Sequence, residues 1–134
     1  MIKRHVVPAA PPPPTGVTYA HASEANGWLY VTGQLPTDPA DPARHFPDGI
    51  EAQADQTLAN LTTIVEAAGY RLDDTVFARI YLSDFDRDYD GMNLIFYRYF
   101  TDHQSPPSRT TVGVARLGRG ALVEIDLVLR KQVA

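Results

Sequence analysis

The sequence predicts an α+β fold, a mixed β-sheet with two helices packed on one of its faces. Three observations carry this reading. Two stretches, near 48–69 and 89–100, place apolar residues at helical spacing, while runs at 28–34, 75–82, 109–115 and 121–129 are β-prone. Their order along the chain is β, hairpin, α, β, α, β, β, which interleaves the two kinds of element. No segment repeats, so residues 1–134 are expected to form one domain, long enough to bury roughly two thirds of the surface the unfolded chain exposes.

A short first strand is expected at about Ile2 to Val6, because Pro11 to Pro14 can neither continue a helix nor donate to a sheet ladder. YAHASEANGWLYVTGQ, residues 19–34, holds two β-prone pieces around Asn26-Gly27, a strong hairpin-turn pair. LPTDPADPARHFPD, residues 35–48, contains four of the eleven prolines and reads as an exposed loop.

Asp48 is expected to cap the first helix, with Glu51 three residues later as in a capping box and Gly69 closing the far end. Ile50, Ala54, Leu58, Leu61, Ile64, Val65 and Ala68 fall on one stripe, so this helix should lie on a sheet. TVFARIYL, residues 75–82, is apolar on both faces except for Arg79 and reads as a central strand. A second helix is expected from Tyr89 to Phe100, with Met92, Ile95, Phe96, Tyr99 and Phe100 at helical spacing.

Composition excludes several functions. Sixteen acidic residues against twelve basic ones give a net charge of -4, with no basic block to neutralise a phosphate backbone, so nucleic acid is not an expected partner. No apolar run approaches the ~20 residues that cross a bilayer, and residues 1–14 are too short and proline-rich for a signal peptide; no membrane association and a cytoplasmic location are expected. With no cysteine there is no disulfide, thiolate site or cysteine nucleophile.

No metal site is expected either, because the four histidines lack ligand spacing. DFDRDYDG, residues 84–91, imitates a calcium loop, yet Tyr97 stands where a bidentate Glu belongs; the carboxylates suit a helix N-terminus instead. GVARLGR, residues 113–119, has Walker-like glycines without the Lys-Ser/Thr pair and reads as a turn. His21 reads as a packing or hydrogen-bonding residue, and the aromatics at 96–100 read mostly as core.

Strand alternation places Arg109, Thr111, Gly113 and Ala115 on one face. In the last strand Ala121, Val123, Ile125, Leu127 and Leu129 form an apolar face for the helices, while Leu122, Glu124, Asp126 and Val128 share the other. That second face is too apolar for water alone, which predicts that another subunit covers it. A half-buried Arg109 requires an anion, supplied by Glu124, by Asp126 or by a ligand.

Tyr19-Ala20-His21-Ala22, LYVTGQ at 29–34, the helix with Gln53, Leu58, Asn60, Leu61 and AAG at 67–69, MNLIFYRYF at 92–100, PSRTTVGVARL and ALVEID occur in the order of one family. With these motifs the chain resembles the Rid family, the reactive intermediate deaminases also called RidA/YjgF-like. The resemblance implies a chorismate-mutase-like fold assembled as a homotrimer, with ligand clefts between subunits. Its implied activity is cofactor-free hydrolysis of small carboxylate-bearing enamines and imines, such as 2-aminoacrylate and 2-iminopropionate, to 2-keto acids and ammonia.

Position by position, the resemblance makes Arg109 the grip on the substrate carboxylate and Glu124 the residue that helps hold the attacking water. It makes Tyr19 a residue closing the cleft, Gly33 a point of close backbone approach and Asn93 a support. Thr111 stands where the best-known deaminases carry cysteine, and Gly16-Val17-Thr18 leads to the tyrosine where Gly-Pro is commoner. The alternatives are a non-catalytic carboxylate-binding module and a deaminase of a larger, aminomuconate-like substrate.

Overall fold

The computed structural model describes residues 1–132. It contains strands β1 (Lys3–His5), β2 (Ala22–Ala25), β3 (Trp28–Gln34), β4 (Thr75–Leu82), β5 (Ser108–Gly113) and β6 (Val123–Arg130). The helices are α1 (Ile50–Ala67) and α2 (Phe85–Tyr99), and single 3₁₀ turns occupy Leu72–Asp74 and Gly118–Gly120. The strands form one sheet in the order β1-β2-β3-β6-β4-β5, with only β4 and β5 parallel. Helix α2 is the crossover that a parallel pair requires.

Local chemistry accounts for most boundaries. Asn26 and Gly27 both take positive φ, 52° and 79°, which closes the β2–β3 hairpin with the turn its strand twist favours. At the end of α1 the Gly69 N–H bonds the Glu66 carbonyl and the Tyr70 N–H that of Val65, using carbonyls that the helix leaves free. His21 is buried: its Nδ1 accepts from the Val7 N–H at 2.9 Å and its Nε2 meets the Pro11 carbonyl at 2.7 Å. It therefore fastens the proline segment to the sheet.

Two helix starts depart from the expectation. Gly49, at φ 83°, occupies the cap position of α1 and no side chain caps it, so Asp48 and Glu51 form no capping box. Helix α2 begins at Phe85, four residues before the expected Tyr89, because the Asp84 side chain accepts from the Arg87 N–H. DFDRDYDG is thus the cap and first turns of a helix. Asp88 is buried there and takes two 2.9 Å bonds from Arg87.

The core lies between the helices and one sheet face. Leu58, Leu61, Ile64 and Val65 of α1 and Met92, Ile95 and Phe96 of α2 close over Leu29, Ile80, Ile125, Leu127 and Leu129. The other sheet face carries Tyr30, Trp28, Val128, Phe77 and Tyr81, and there Tyr30 is 55% exposed and Trp28 37%. Central strand β4 is accordingly covered on one side only within the protomer, not on both as its apolar run suggests.

Candidate functional site

The pairing register assigns each charge to a face. On β4, Ala78 and Ile80 point into the core, and they pair with Arg109 and Thr111. Arg109 and Thr111 therefore lie on the helix side, on the outermost strand of the sheet. Tyr81 and Arg79 pair with Glu124 and Asp126, which puts these carboxylates on the opposite, open face.

Around Arg109 the sequence builds a cage. Tyr89, Asn93 and Tyr97 recur every four residues along α2 and so share the stripe that faces β5. Asn93 Oδ1 accepts from Arg109 Nη2 at 2.6 Å, and the Tyr89 and Tyr97 hydroxyls stand 3.4 Å from the same guanidinium. The guanidinium carbon lies 5.0 Å from the centroid of the Phe96 ring, with Tyr97 at 5.6 Å and Tyr89 at 5.8 Å. These contacts fix the orientation of the fork of donors without neutralising it. The Thr111 hydroxyl, two residues along the same face, is buried and makes no hydrogen bond within the protomer.

Of the three anions the sequence offered to Arg109, two are engaged elsewhere. Asp126 accepts from Arg79 Nε at 2.8 Å. Glu124 packs beside β3, where a methyl group on residue 33 would stand 2.6 Å from its Oε2, so Gly33 supplies the space for this carboxylate. Burial, and then the negative charge of Asp126, raises the Glu124 carboxyl above its ordinary range. Tyr19 is close enough to feel it: burial and then Glu124 push the phenol up.

Buried amides of α1 hold this second group in place. Gln53 accepts the Leu122 N–H at 2.8 Å and donates to the Pro47 carbonyl at 2.9 Å, fixing the chain two residues before Glu124. Asn60 donates to the carbonyls of Leu35 and Thr37 at 3.2 and 2.8 Å. Thr32 bonds the Ala20 carbonyl at 2.7 Å and so keeps Tyr19 beside the end of β3. Tyr19, Gly33, Leu35, Thr37, the prolines at 11–14 and Arg119 line a cleft of about 440 Å³.

The residues named from sequence thus form two clusters: Arg109, Asn93 and Thr111 on one side of the sheet, and Tyr19, Gly33 and Glu124 on the other. Tyr89 and Tyr97 escaped the sequence reading, although their four-residue spacing with Asn93 was the available signal.

This fold and these motifs have counterparts among known proteins. A family model described as Endoribonuclease L-PSP matches residues 10–130. The chain belongs to that family. This L-PSP family member is 38% identical over 120 residues to a RutC family protein of Saccharolobus solfataricus, covering 90% of this chain and 91% of that protein. It is 33% identical over 111 residues to a 2-iminobutanoate/2-iminopropanoate deaminase of Salmonella typhimurium, covering 82% and 84%. Its fold matches the crystal structure of RidA from the Antarctic bacterium Psychrobacter sp. with a TM-score of 0.84 and 32% identity, covering 96% of this chain and 98% of that one. The Rid, or RidA/YjgF-like, resemblance and the α+β class are borne out.

Proposed function

We propose that this protein hydrolyses small 2-imino acids and their 2-enamine tautomers to 2-keto acids and ammonia. The clefts would form where the β5 edge of one copy meets the open sheet face of the next, in a homotrimer. One observation carries the reading: Arg109 is caged and oriented with no carboxylate bonded to it among the described residues, while Glu124 is held on the opposite face. A single protomer cannot bring the two to one substrate. Two copies can, and the apolar open face supports such packing.

The chemistry follows from these positions. Arg109 grips the substrate carboxylate and fixes the C=N carbon against Glu124. With the substrate bound as its protonated iminium, Glu124 accepts a proton from water as the oxygen bonds to C2 and the C=N π pair moves to nitrogen, giving a neutral carbinolamine. Glu124 returns that proton to nitrogen and then takes the hydroxyl proton as the C=O bond closes and the C–N bond breaks. The departing ammonia carries this last proton away as ammonium. A carboxylate raised by burial is a stronger base than a solvated one, and general acid–base help is typically worth ~100- to 10,000-fold. Tyr19, its phenol pushed up, keeps its proton at neutral pH and can donate a hydrogen bond to the reacting group. Thr111 offers a hydroxyl where a thiol stands in the best-known relatives.

The family description names an endoribonuclease. A net charge of -4, with no basic block to neutralise a polyanion, argues against a phosphate backbone and leaves a small carboxylate substrate favoured. The name of the Salmonella relative supports the same choice.

The test is keto-acid release from 2-iminopropionate and 2-iminobutyrate, generated in place by an amino-acid oxidase with semicarbazide competing for the imine. Acceleration by the wild type that disappears in a folded Arg109→Ala protein is the expected result. Absence of acceleration by the wild type overturns the reading and leaves the carboxylate-binding module.

A further inference from the structure

The loop between β5 and β6 contains an arginine that the deaminase chemistry does not use. Arg119 stands between Gly118 and Gly120 with φ 56° and ψ 25°. A long side chain adopts this left-handed backbone only where its surroundings hold it there, whereas glycine adopts it freely. Two contacts hold Arg119, both from the 35–48 loop. Its Nη2 donates to the Arg44 carbonyl at 3.0 Å, and its guanidinium carbon lies 4.5 Å from the centroid of the Phe46 ring. Among the described residues no carboxylate pairs with it.

This oriented cation lines the same 440 Å³ cleft as Tyr19 and Gly33, and the Glu124 carboxylate packs against Gly33. The lining thus includes a guanidinium, and a carboxylate packs against the lining residue Gly33. Anchoring by Arg44 and Phe46 removes much of the side-chain freedom that binding an anion would otherwise cost, and the guanidinium fork suits a carboxylate. With Arg109 assigned to the carboxylate next to the imine carbon, an anion at Arg119 would be a second group, carried on the substrate's side chain.

We infer that Arg119 is a specificity residue that selects 2-imino acids bearing a second, side-chain carboxylate, the imines of acidic amino acids. The assignment rests on the deaminase reading of the same cleft. It gives Arg119 a role beyond clamping the 35–48 loop, which a neutral side chain could also share by hydrogen bonding.

The experiment compares kcat/KM for imines generated in place from aspartate or glutamate and from alanine, with wild type, Arg119→Gln and Arg119→Lys. The wild type is expected to favour the dicarboxylic imine. In Arg119→Gln the ratio of dicarboxylic to monocarboxylic kcat/KM should fall about tenfold, chiefly through KM, with Arg119→Lys between the two. An unmoved ratio overturns the assignment, including the case in which both substrates lose activity together because the loop is loosened.

Calorimetric binding of 2-oxoglutarate against 2-oxobutyrate supplies a readout without turnover. Tighter binding of the dicarboxylate by wild type, lost in Arg119→Gln, supports the cation's role. Equal binding of the two keto acids overturns it. Should no imine be accelerated by the wild type, the deaminase reading falls, and this binding comparison alone decides Arg119.

Discussion

Arg79 and Arg109 lie on neighbouring strands, yet their surroundings differ in kind. Arg79, on the open face, forms a 2.8 Å ion pair with Asp126, so its charge is met by its opposite. Arg109, on the helix face, is met by an amide, two phenols and an aromatic ring, all of which orient it and none of which cancels it. Glu124, two residues from Asp126, has no cation bonded to it among the described residues. A matched pair maintains a fold. Charges that are oriented but unmatched remain available to a ligand.

Substitution should separate the two kinds of arginine most widely. Arg109→Ala is expected to lower kcat/KM on 2-iminopropionate by about 100-fold or more, the loss of a bidentate charged bond, with an unaltered thermal unfolding curve. Arg79→Ala should keep kcat/KM within a few-fold and cost about 1 to 3 kcal/mol of stability, because it leaves the buried Asp126 carboxylate without its partner. Equal losses of activity in the two variants would erase the distinction.

Glu124→Gln is next in size, with an expected fall in kcat of about 100-fold. Its stability should move the other way. Because burial raises the folded-state pKa of Glu124, the folded protein binds this proton more tightly than the unfolded chain does. Stability from this group is full below the ordinary carboxylate range and is lost as pH rises through the folded pKa. Removing the charge should therefore raise the melting temperature at pH 7 more than at pH 4, and a lower melting temperature at pH 7 would contradict the assigned burial cost.

The smallest effect is expected from Asp126→Asn. Asp126 raises the Glu124 pKa, although less than burial does. Without it, the acidic limb of the pH–rate profile should shift to lower pH by a fraction of a unit while the maximal rate holds within a few-fold. A shift to higher pH would contradict the assigned repulsion between the two carboxylates.

Much of this architecture is legible in the residues. The α1 stripe, the Asn26-Gly27 turn and the alternation in β6 each follow from one physical rule, and each is present where the rule puts it. Alternation also places Arg109 beside Thr111, but it cannot say which side of the sheet they occupy. That depends on the parallel register with Ala78 and Ile80, set by a crossover of some twenty-five residues. The cap of α1 was misread because Asp48 has the right chemistry while Gly49 takes the left-handed backbone that the chain's approach requires. Arg119 leaves no sequence signal, since a positive φ between two glycines looks like any turn.

The division of the site between two faces of the sheet has a genetic consequence. If each cleft takes its arginine from one copy and its glutamate from the next, Arg109→Ala and Glu124→Gln chains are each inactive alone but complementary when co-expressed. Random assembly of equal amounts would restore about one quarter of the clefts, those in which the arginine-bearing chain precedes the glutamate-bearing one. Two null alleles would then sustain a cell that neither sustains by itself.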